Sequence, residues 1–432
     1  MRRVPRWTTG SSAATTWSGK ACELHTSAVS KIFPPTFLVD EFEMALAMDR
    51  LSAGGACLQV RNDALEKLMN TSEYPLFRRV LITRMKFIGD VILTTPIIRS
   101  VRAAFPSAHI AYLGEKEAVS LLKHNPNLDE VIPFNFSVPS LVEQTRVGLL
   151  LRRRRFDLVI DLFGNPRSAL LTFLTGARTR VGLDRPGRGK LYTIRVQDDG
   201  KRKTAIGFHE QFLRAVGIPA TVARPEIVLT DDERRNAARL LASLEERAPV
   251  GDAPPPIIGM HPGATWPAKM WLPERFGELA ATIALKLGAQ VVITAGPKEK
   301  ETVARALAAA GGSAMAVPVL PLRELAAVIS HCSVFISNDA GPMHIAPALN
   351  VPTIGLFGPG EEDIWFPYSR ADGHLPLRMD VPCHPCHLDI CNRPGDLYME
   401  CMKLLTVEEV FEAVKASFEM RNEKESAKKP QL

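Results

Sequence analysis

Two rounds of alternating strand and helix patterns constrain the fold more than any other feature of this sequence. Short apolar runs such as residues 80–83, 109–113 and 158–162 alternate with segments whose apolar residues recur at helical spacing. A second round runs from residue 257 to residue 357. Such alternation predicts parallel sheets with helices on both faces, because helical crossovers connect parallel strands. We therefore expect an α/β protein with two Rossmann-like, doubly wound domains facing a central cleft.

Composition divides the chain further. The first 76 residues carry Arg2, Arg3 and Arg6 and are rich in Ser and Thr. This pattern fits a transit peptide, or, as we favour, a start codon placed upstream of the natural Met69. Shifts in composition, including the proline run at 254–256, predict these five segments: a poorly ordered extension (1–76), a first domain that binds the acceptor (77–250), a second domain that binds the nucleotide sugar (251–405), a helix crossing back to the first domain (406–420) and a disordered tail (421–432).

Charge and hydropathy exclude several classes of protein. The net charge of +6 is mild for 432 residues, so we expect no nucleic-acid partner. It is compatible with phosphorylated substrates or an anionic membrane surface. No run of eighteen apolar residues occurs, so we expect no transmembrane helix. The basic run 152–155 suits the C-terminus of a solvated helix, with lipid contact as the alternative.

The stretch 337–344 (SNDAGPMH) follows a buried strand pattern and opens a helix. A helix N-terminus after a tight turn presents free N–H groups and a positive dipole end to an anion. Asp339 adds an acceptor suited to hydroxyl groups, and His344 adds a donor. We expect this turn to bind a phosphate with a sugar beside it.

Two further loops leave the same predicted sheet edge. The loop 261–269 offers backbone N–H groups, the hydroxyl of Thr265 and the cation Lys269, which suit a diphosphate. The loop 295–299 ends on Glu299, a carboxylate placed to meet a ribose hydroxyl. Three such loops on one edge predict a nucleotide-sugar site in the second domain.

These motifs resemble glycosyltransferase family 9, the ADP-heptose:lipopolysaccharide heptosyltransferases. The resemblance extends from residue 78 to about residue 418, and its motifs occur in the family's order. The residues that carry it are Arg84, Ile88-Gly89-Asp90-Val91 and Pro96; His261-Pro262-Gly263-Ala264, Lys269, Trp271 and Pro273-Glu274-Arg275-Phe276; Gly296-Pro297 and Glu299; Asn338-Asp339, Gly341-Pro342-Met343-His344, Ala346 and Ala348; and Leu356-Phe357-Gly358-Pro359.

The resemblance implies a GT-B fold and metal-independent, inverting transfer of heptose from ADP-heptose to the inner core of lipopolysaccharide, with no cofactor. It assigns Asp90 as the base, Lys269 to the leaving diphosphate, Glu299 to the ribose and Asp339 to the heptose hydroxyls. It assigns to the turn over the diphosphate the residues Gly341, Pro342, Met343 and His344. It further implies a cytoplasmic enzyme, peripheral to the inner membrane, whose acceptor is lipid A-Kdo or a heptosylated core.

Other readings remain at this point. A GT-B transferase could use another nucleotide sugar, and a non-catalytic sugar-nucleotide binding protein would keep Lys269 and Asp339 without needing Asp90. An NAD-type oxidoreductase or a P-loop NTPase is not favoured, because neither G-x-G-x-x-G nor G-x4-G-K-[ST] occurs. The late cysteines fit reduced thiols, structural zinc or a disulfide; they are Cys383, Cys386, Cys391 and Cys401.

Overall fold

A computed structural model of the chain describes residues 77–221, 224–244 and 254–428. The predicted extension 1–76 and residues 429–432 of the predicted tail lie outside the described residues. The strands are β1 Arg79–Thr83, β2 His109–Glu115, β3 Glu130–Phe134, β4 Leu158–Asp161, β5 Thr179–Leu183, β6 Ile194–Val196, β7 Ile257–His261, β8 Gln290–Ile293, β9 Met315–Ala316, β10 Val334–Asn338, β11 Thr353–Phe357 and β12 Leu375–Arg378.

The helices alternate with these strands, as the sequence predicts. They are α1 Ile88–Leu93, α2 Thr95–Ala104, α3 Lys116–Val119, α4 Ser140–Arg154, α5 Pro166–Leu174, α6 Ala205–Arg214, α7 Asp231–Leu244, α8 Pro273–Leu287, α9 Lys300–Ala310, α10 Leu322–Ile329, α11 Gly341–Ala348, α12 Glu362–Trp365, α13 Glu400–Lys403 and α14 Val407–Lys428. Pro96 stands at the start of α2, where it costs no hydrogen bond. Among the described residues, no helix is long and apolar enough to cross a bilayer.

Two parallel six-stranded sheets form the described part of the chain. The first has the order β3-β2-β1-β4-β5-β6 and the second the order β12-β11-β10-β7-β8-β9. Every residue of β10 and β11 is buried, as expected of central strands covered by helices on both faces. In each sheet the strands are added first on one side of the first strand, β1 or β7, and then on the other. This topological switch point opens a crevice at the carboxyl ends of the strands. The predicted doubly wound α/β architecture is confirmed.

The boundary between the domains lies earlier than the predicted residue 250. Helix α7 packs against α10 of the second domain, where Ala237 and Leu241 share an apolar cluster with Leu325. The carboxylate of Glu233 also accepts hydrogen bonds at 2.5 and 2.6 Å from Arg323 of α10. The apolar side of α7 therefore places it with the second domain, ahead of the proline run.

The C-terminal helix also differs from its prediction. Helix α14 was expected to cross back to the first domain, but it packs on α8 and on β10, β11 and β12 of the second. Its residues Val410, Phe411 and Val414 complete the core around Trp271 and Phe276. The helix continues to Lys428, so residues 421–428 of the predicted tail are helical.

The two domains meet at the N-terminal halves of α1 and α11. A Cβ atom on Gly89 would lie 2.2 Å from Cδ2 of His344, and one on Gly341 would lie 3.1 Å from Cβ of Ile88. The missing Cβ atoms of the two glycines leave room for the side chains of His344 and Ile88 at this contact. The loops that follow β1 and β10 therefore face each other across the cleft.

Candidate active site

An ion pair lies at the carboxyl ends of β7 and β10. Nζ of Lys269 stands 2.6 Å from Oδ2 of Asp339, and both side chains are largely buried. The Lys269 ammonium also lies 4.6 Å from the ring centroid of Trp266. Gly360, after β11, covers the pair closely, since a Cβ there would lie 2.7 Å from Oδ2 of Asp339. Three loops thus hold one cation and one carboxylate side by side at the carboxyl edge of the second sheet.

A second polar group surrounds Glu299. Its Oε2 accepts a hydrogen bond from the backbone of Gly296 at 2.5 Å and lies 3.3 Å from Nε2 of His261. The other nitrogen of His261 is 3.0 Å from Oγ1 of Thr294, so the imidazole is fixed on both sides. Burial raises the pKa of Glu299, but the hydrogen bond and charge of His261 and the Gly296 N–H outweigh it and lower that pKa. Glu299 therefore presents an ionised acceptor.

Asn338 joins the loops after β7 and β10. Its Oδ1 accepts from the backbone N–H of Trp271 at 3.0 Å, and its Nδ2 donates to the carbonyl of Pro262 at 2.8 Å. Both bonds are buried, where an unmade bond would cost more than at the surface. The asparagine side chain therefore fixes the loop 262–271 against the strand end.

The backbone of the turn 339–344 faces the cleft, whereas the side chains of Met343 and His344 contact other parts of the protein. Helix α11 begins at Gly341 and opens toward the cleft, but the Met343 side chain packs with Phe357 and Phe366. Nδ1 of His344 is 2.8 Å from the hydroxyl of Tyr368. Thr265, in contrast, is exposed on its loop. The predicted ligand contacts of this turn can come from its backbone, while Pro342 and Met343 are buried in the protein.

Burial controls the protonation of His344. Burial lowers the pKa of His344 to about 4, although the nearby Asp339 and Asp90 carboxylates raise it. The imidazole is neutral at neutral pH and shares a hydrogen bond with Tyr368. This uncharged side chain lies at the contact between the two domains.

Asp90 lies in the first turn of α1, just after the carboxyl end of β1. Its Oδ1 is paired with Nη2 of Arg84, and its Oδ2 accepts from the backbone N–H of Phe87 at 3.2 Å. Arg84 is itself held by the Leu162 carbonyl at 3.0 Å and stacks 4.9 Å from the Phe163 ring centroid. The carboxylate is thus fixed at the carboxyl edge of the first sheet.

A cavity of about 480 Å³ opens beside Asp90. Its lining residues come from both domains and include a basic loop that no sequence pattern predicts; they are Arg84, Asp90, Asp198, Gly200, Lys201, Arg202, Lys203, Ala205, Phe208, His209, Ile364 and Trp365. Burial and then the charge of Arg84 lower the pKa of His209 well below its usual range. No spacing or motif marks this loop in the sequence.

Arg202 spans the cleft from this loop. Its Nη1 lies 2.6 Å from Oε1 of Glu361, and its Nη2 lies 2.6 Å from Oδ1 of Asp363, both in the second domain. The arginine side chain is 56% exposed, so the pairs are weak and screened by salt. The mouth of the cavity is therefore closed by contacts that an anion can displace.

The four late cysteines line one small space. The volume enclosed is about 40 Å³, and Cys391 accepts a hydrogen bond from the backbone of Met399 at 3.3 Å. Burial, with the charges of the other three thiols, raises the pKa of Cys401 to about 11. Within the described residues, no group of three or more His, Cys, Asp or Glu is placed to hold a metal ion. The predicted zinc alternative thus has no ready ligand set.

The arrangement suits a displacement between the two domains. Asp90 can take a proton from a hydroxyl in the cavity. On the facing side, Lys269 and the N-terminus of α11 can stabilise a departing diphosphate. Lys269, Glu299 and Asp339 lie on loops at the carboxyl end of the second sheet, and Asp90 lies in the first turn of α1 at the carboxyl end of the first.

Comparison with known proteins gives matches of sequence and of fold. The family model described as glycosyltransferase family 9 (heptosyltransferase) matches residues 145–393. Lipopolysaccharide heptosyltransferase 2 of Escherichia coli K12 is 28% identical over 308 residues, which is 68% of this chain and 86% of that protein. Lipopolysaccharide heptosyltransferase 1 of Pseudomonas aeruginosa is 28% identical over 326 residues, covering 72% and 87%.

Two solved structures share the fold. A glycosyl transferase of family 9 from Veillonella parvula aligns with a TM-score of 0.68 at 24% identity, over 80% of this chain and 99% of that chain. The ADP-heptose lipopolysaccharide heptosyltransferase II of Escherichia coli aligns with a TM-score of 0.65 at 24% identity and the same coverage. Both alignments span the two described domains together.

Proposed function

Since this chain belongs to glycosyltransferase family 9, the heptosyltransferases, we propose that it transfers heptose from ADP-heptose to the inner core of lipopolysaccharide. The relatives' names supply the donor and acceptor class: lipopolysaccharide heptosyltransferases 2 and 1 match over most of their length. The acceptor is lipid A-Kdo or an already heptosylated core, and the enzyme works at the cytoplasmic face of the inner membrane.

The observation that supports this proposal is that Asp90 of the first domain and the Lys269–Asp339 pair of the second all lie close enough to His344 to act on its charge. Asp90 takes the proton of the acceptor hydroxyl, whose oxygen attacks the anomeric carbon of the heptose. The bond from that carbon to the phosphate oxygen breaks, and ADP leaves with the electron pair. Attack from the face opposite the leaving group inverts the anomeric centre. Lys269 and the α11 N-terminus neutralise the charge that develops on the diphosphate.

The remaining loops bind the donor. Glu299, held ionised by His261 and Gly296, accepts from the ribose hydroxyls. Asp339 accepts from the heptose hydroxyls while it pairs with Lys269. The loop backbone at 263–265 and the α11 N-terminus surround the diphosphate. A nucleotide-binding protein without catalysis would have no use for an ion-paired carboxylate across the cleft.

The test is transfer with defined substrates. The full chain is incubated with ADP-heptose and Kdo-lipid A or a heptosylated core, and mass spectrometry follows the addition of one heptose. EDTA should leave the rate unchanged, because the cation is supplied by Lys269. Transfer only from another nucleotide sugar, ADP binding without turnover, or a rate that returns only with added Mg²⁺ would each contradict the proposal.

A further inference from the structure

An apolar surface covers two neighbouring helices of the first domain. Helices α4 and α5 carry six large apolar side chains that are at least 39% exposed: Leu141, Val142, Leu149, Leu170, Phe173 and Leu174. The helices pack together, since a Cβ on Gly148 would lie 3.1 Å from Cδ1 of Leu174. We call these six residues the α4–α5 face. A surface of this kind on one side of a domain marks an interaction site.

Arginines border this face without internal partners. In the described part of the chain, no ion pair or side-chain hydrogen bond joins Arg152, Arg153, Arg155 or Arg178 to another residue. The guanidinium of Arg152 reaches Gly176 at the end of α5, so the charges border both helices. The neighbouring Arg146 and Arg154 are instead paired with Glu143 and Glu130. The border is strongly cationic.

The face also lies beside the catalytic edge. Helices α4 and α5 begin after the carboxyl ends of β3 and β4, and Asp90 follows the carboxyl end of β1 in the same sheet. Leu141, Val142 and Leu170 are therefore near the edge at which the acceptor reaches Asp90. A membrane-anchored acceptor needs its sugars in the cleft while its acyl chains stay in the bilayer.

We propose that the α4–α5 face docks the enzyme on an anionic phospholipid bilayer. The six apolar side chains enter the interface, and the bordering arginines bind lipid phosphates. A second copy of this chain fits less well, because a two-fold contact would set the same arginines against each other. This inference rests on the proposed function for its lipid-anchored acceptor.

The experiment measures partition of the full chain onto vesicles. Vesicles of phosphatidylethanolamine with phosphatidylglycerol are compared with phosphatidylcholine alone by flotation. Two double variants test the face, Leu149→Ser with Phe173→Ser and Arg152→Glu with Arg153→Glu. The matched controls on the second domain are Leu285→Ser with Val319→Ser, which are 85% and 51% exposed, and Arg235→Glu with Arg239→Glu.

The arginine variant should lower partition onto anionic vesicles at least about tenfold, because one cation near such a surface contributes about fivefold. The apolar variant should lower it by a similar factor, because it removes apolar side chains from the interface. The controls should stay within about twofold, and 0.5 M salt should weaken the wild type toward the arginine variant. Melting temperatures of all variants, together with kcat/KM on a deacylated, water-soluble acceptor, should match the wild type.

Three results would overturn the docking surface. They are unchanged partition of both test variants, equal partition onto neutral vesicles, and a wild-type dimer in sedimentation that the variants dissolve. If the apolar variant misfolds, the arginine variant, whose side chains lie in solvent, decides. Loss of transfer to every acceptor with normal vesicle binding would instead contradict the proposed function and leave the surface intact.

Discussion

The two sides of the cleft are built in different ways. On the second domain, Lys269, Glu299 and Asn338 are each tied by at least two contacts to neighbouring residues. On the first domain, the basic loop before α6 reaches across to Asp363 through an exposed arginine, whose ion pairs close the mouth of the cavity. The side of the cleft formed by the second domain is therefore ordered before any ligand binds. The side formed by the first domain is held by solvent-exposed ion pairs.

This difference suits the two substrates. The nucleotide sugar is small and is the same molecule in every reaction. A preorganised polar network binds it without a free-energy cost for ordering the site. The acceptor is large and anionic, and it can replace the carboxylates of Glu361 and Asp363 around Arg202. The comparison therefore predicts that changes on the second domain alter donor binding, while changes on the first alter turnover or acceptor binding.

The largest effect is expected at Asp90. Replacing Asp90 by Asn should lower kcat by about 10²–10⁴-fold, the range for losing a general base. The Kd of ADP-heptose, measured by calorimetry, should change little, because the carboxylate lies on the first domain. Asp129→Asn is the matched control, since Asp129 also pairs with an arginine, at 2.6 Å, but at the amino edge of the same sheet. Near wild-type kcat in Asp90→Asn would remove Asp90 from the mechanism.

The next effect is expected at Lys269. Lys269→Met should lower kcat by about 10²–10³-fold, the usual scale for one group that stabilises developing charge, and should also weaken ADP. Lys286→Met is the matched control, because Lys286 also lies 4.6 Å from an aromatic centroid, that of Phe411, outside the site. Rapid kinetics measures the rate of the chemical step separately from the binding of ADP. Recovery of the Lys269→Met rate on adding Mg²⁺ would show that a metal can do this work.

The second domain could be predicted from sequence because its chemistry sits on regular strand–turn–helix units. The second round of strands and helices predicted from residue 257 to residue 357 is observed as β7 to β11 with their helices, and Lys269, Glu299 and Asp339 lie on the predicted loops. Each of these loops follows a strand that contains a short apolar run and carries Gly or Pro, so its position is fixed locally. Packing could not be predicted in this way. The faces that α7 and α14 bury depend on partners distant in the chain.

The first domain was harder to predict for a physical reason. Strands β5 and β6 are short, and their mixed polar sequence lacks an apolar run. The basic loop that lines the cavity has neither period nor motif, and its importance comes from Glu361 and Asp363, about 160 residues later. Likewise, the His344 donor was predicted to face a ligand, but the close approach of Gly89 fixes it at the domain contact.

A smaller effect is expected from pH, through His344. Its folded pKa of about 4 lies below the usual 6.5, so the folded state binds fewer protons than the unfolded chain between these values. The free energy of unfolding should therefore fall as the pH falls from about 6.5 toward 4. By pH 5 the loss from this residue is roughly 2 kcal/mol.

Urea denaturation at pH 7 and pH 5 tests this linkage. His344→Gln should reduce the difference in unfolding free energy between the two pH values, because glutamine does not titrate. His387→Gln serves as the control, since the His387 side chain is 56% exposed. An unchanged pH dependence in His344→Gln would mean that protonating this histidine costs the fold nothing, and that the domain contact is looser than described.

The smallest effect is expected from one methyl group beside Glu299. A Cβ at Gly263 would lie 2.0–2.3 Å from the Glu299 carboxylate, the flexible end of a side chain that can move aside. Gly263→Ala should therefore fold normally but displace the carboxylate from the ribose site. We expect ADP affinity to fall about tenfold, equivalent to about 1.4 kcal/mol, with acceptor KM unchanged. A double-mutant cycle with Glu299→Ala supplies the control. Both changes remove the same contact between Glu299 and the ribose, so their effects on ADP affinity should not add. Additive losses would show that the methyl group acts on the diphosphate loop itself, and that this side of the cleft is less rigid than its hydrogen bonds indicate.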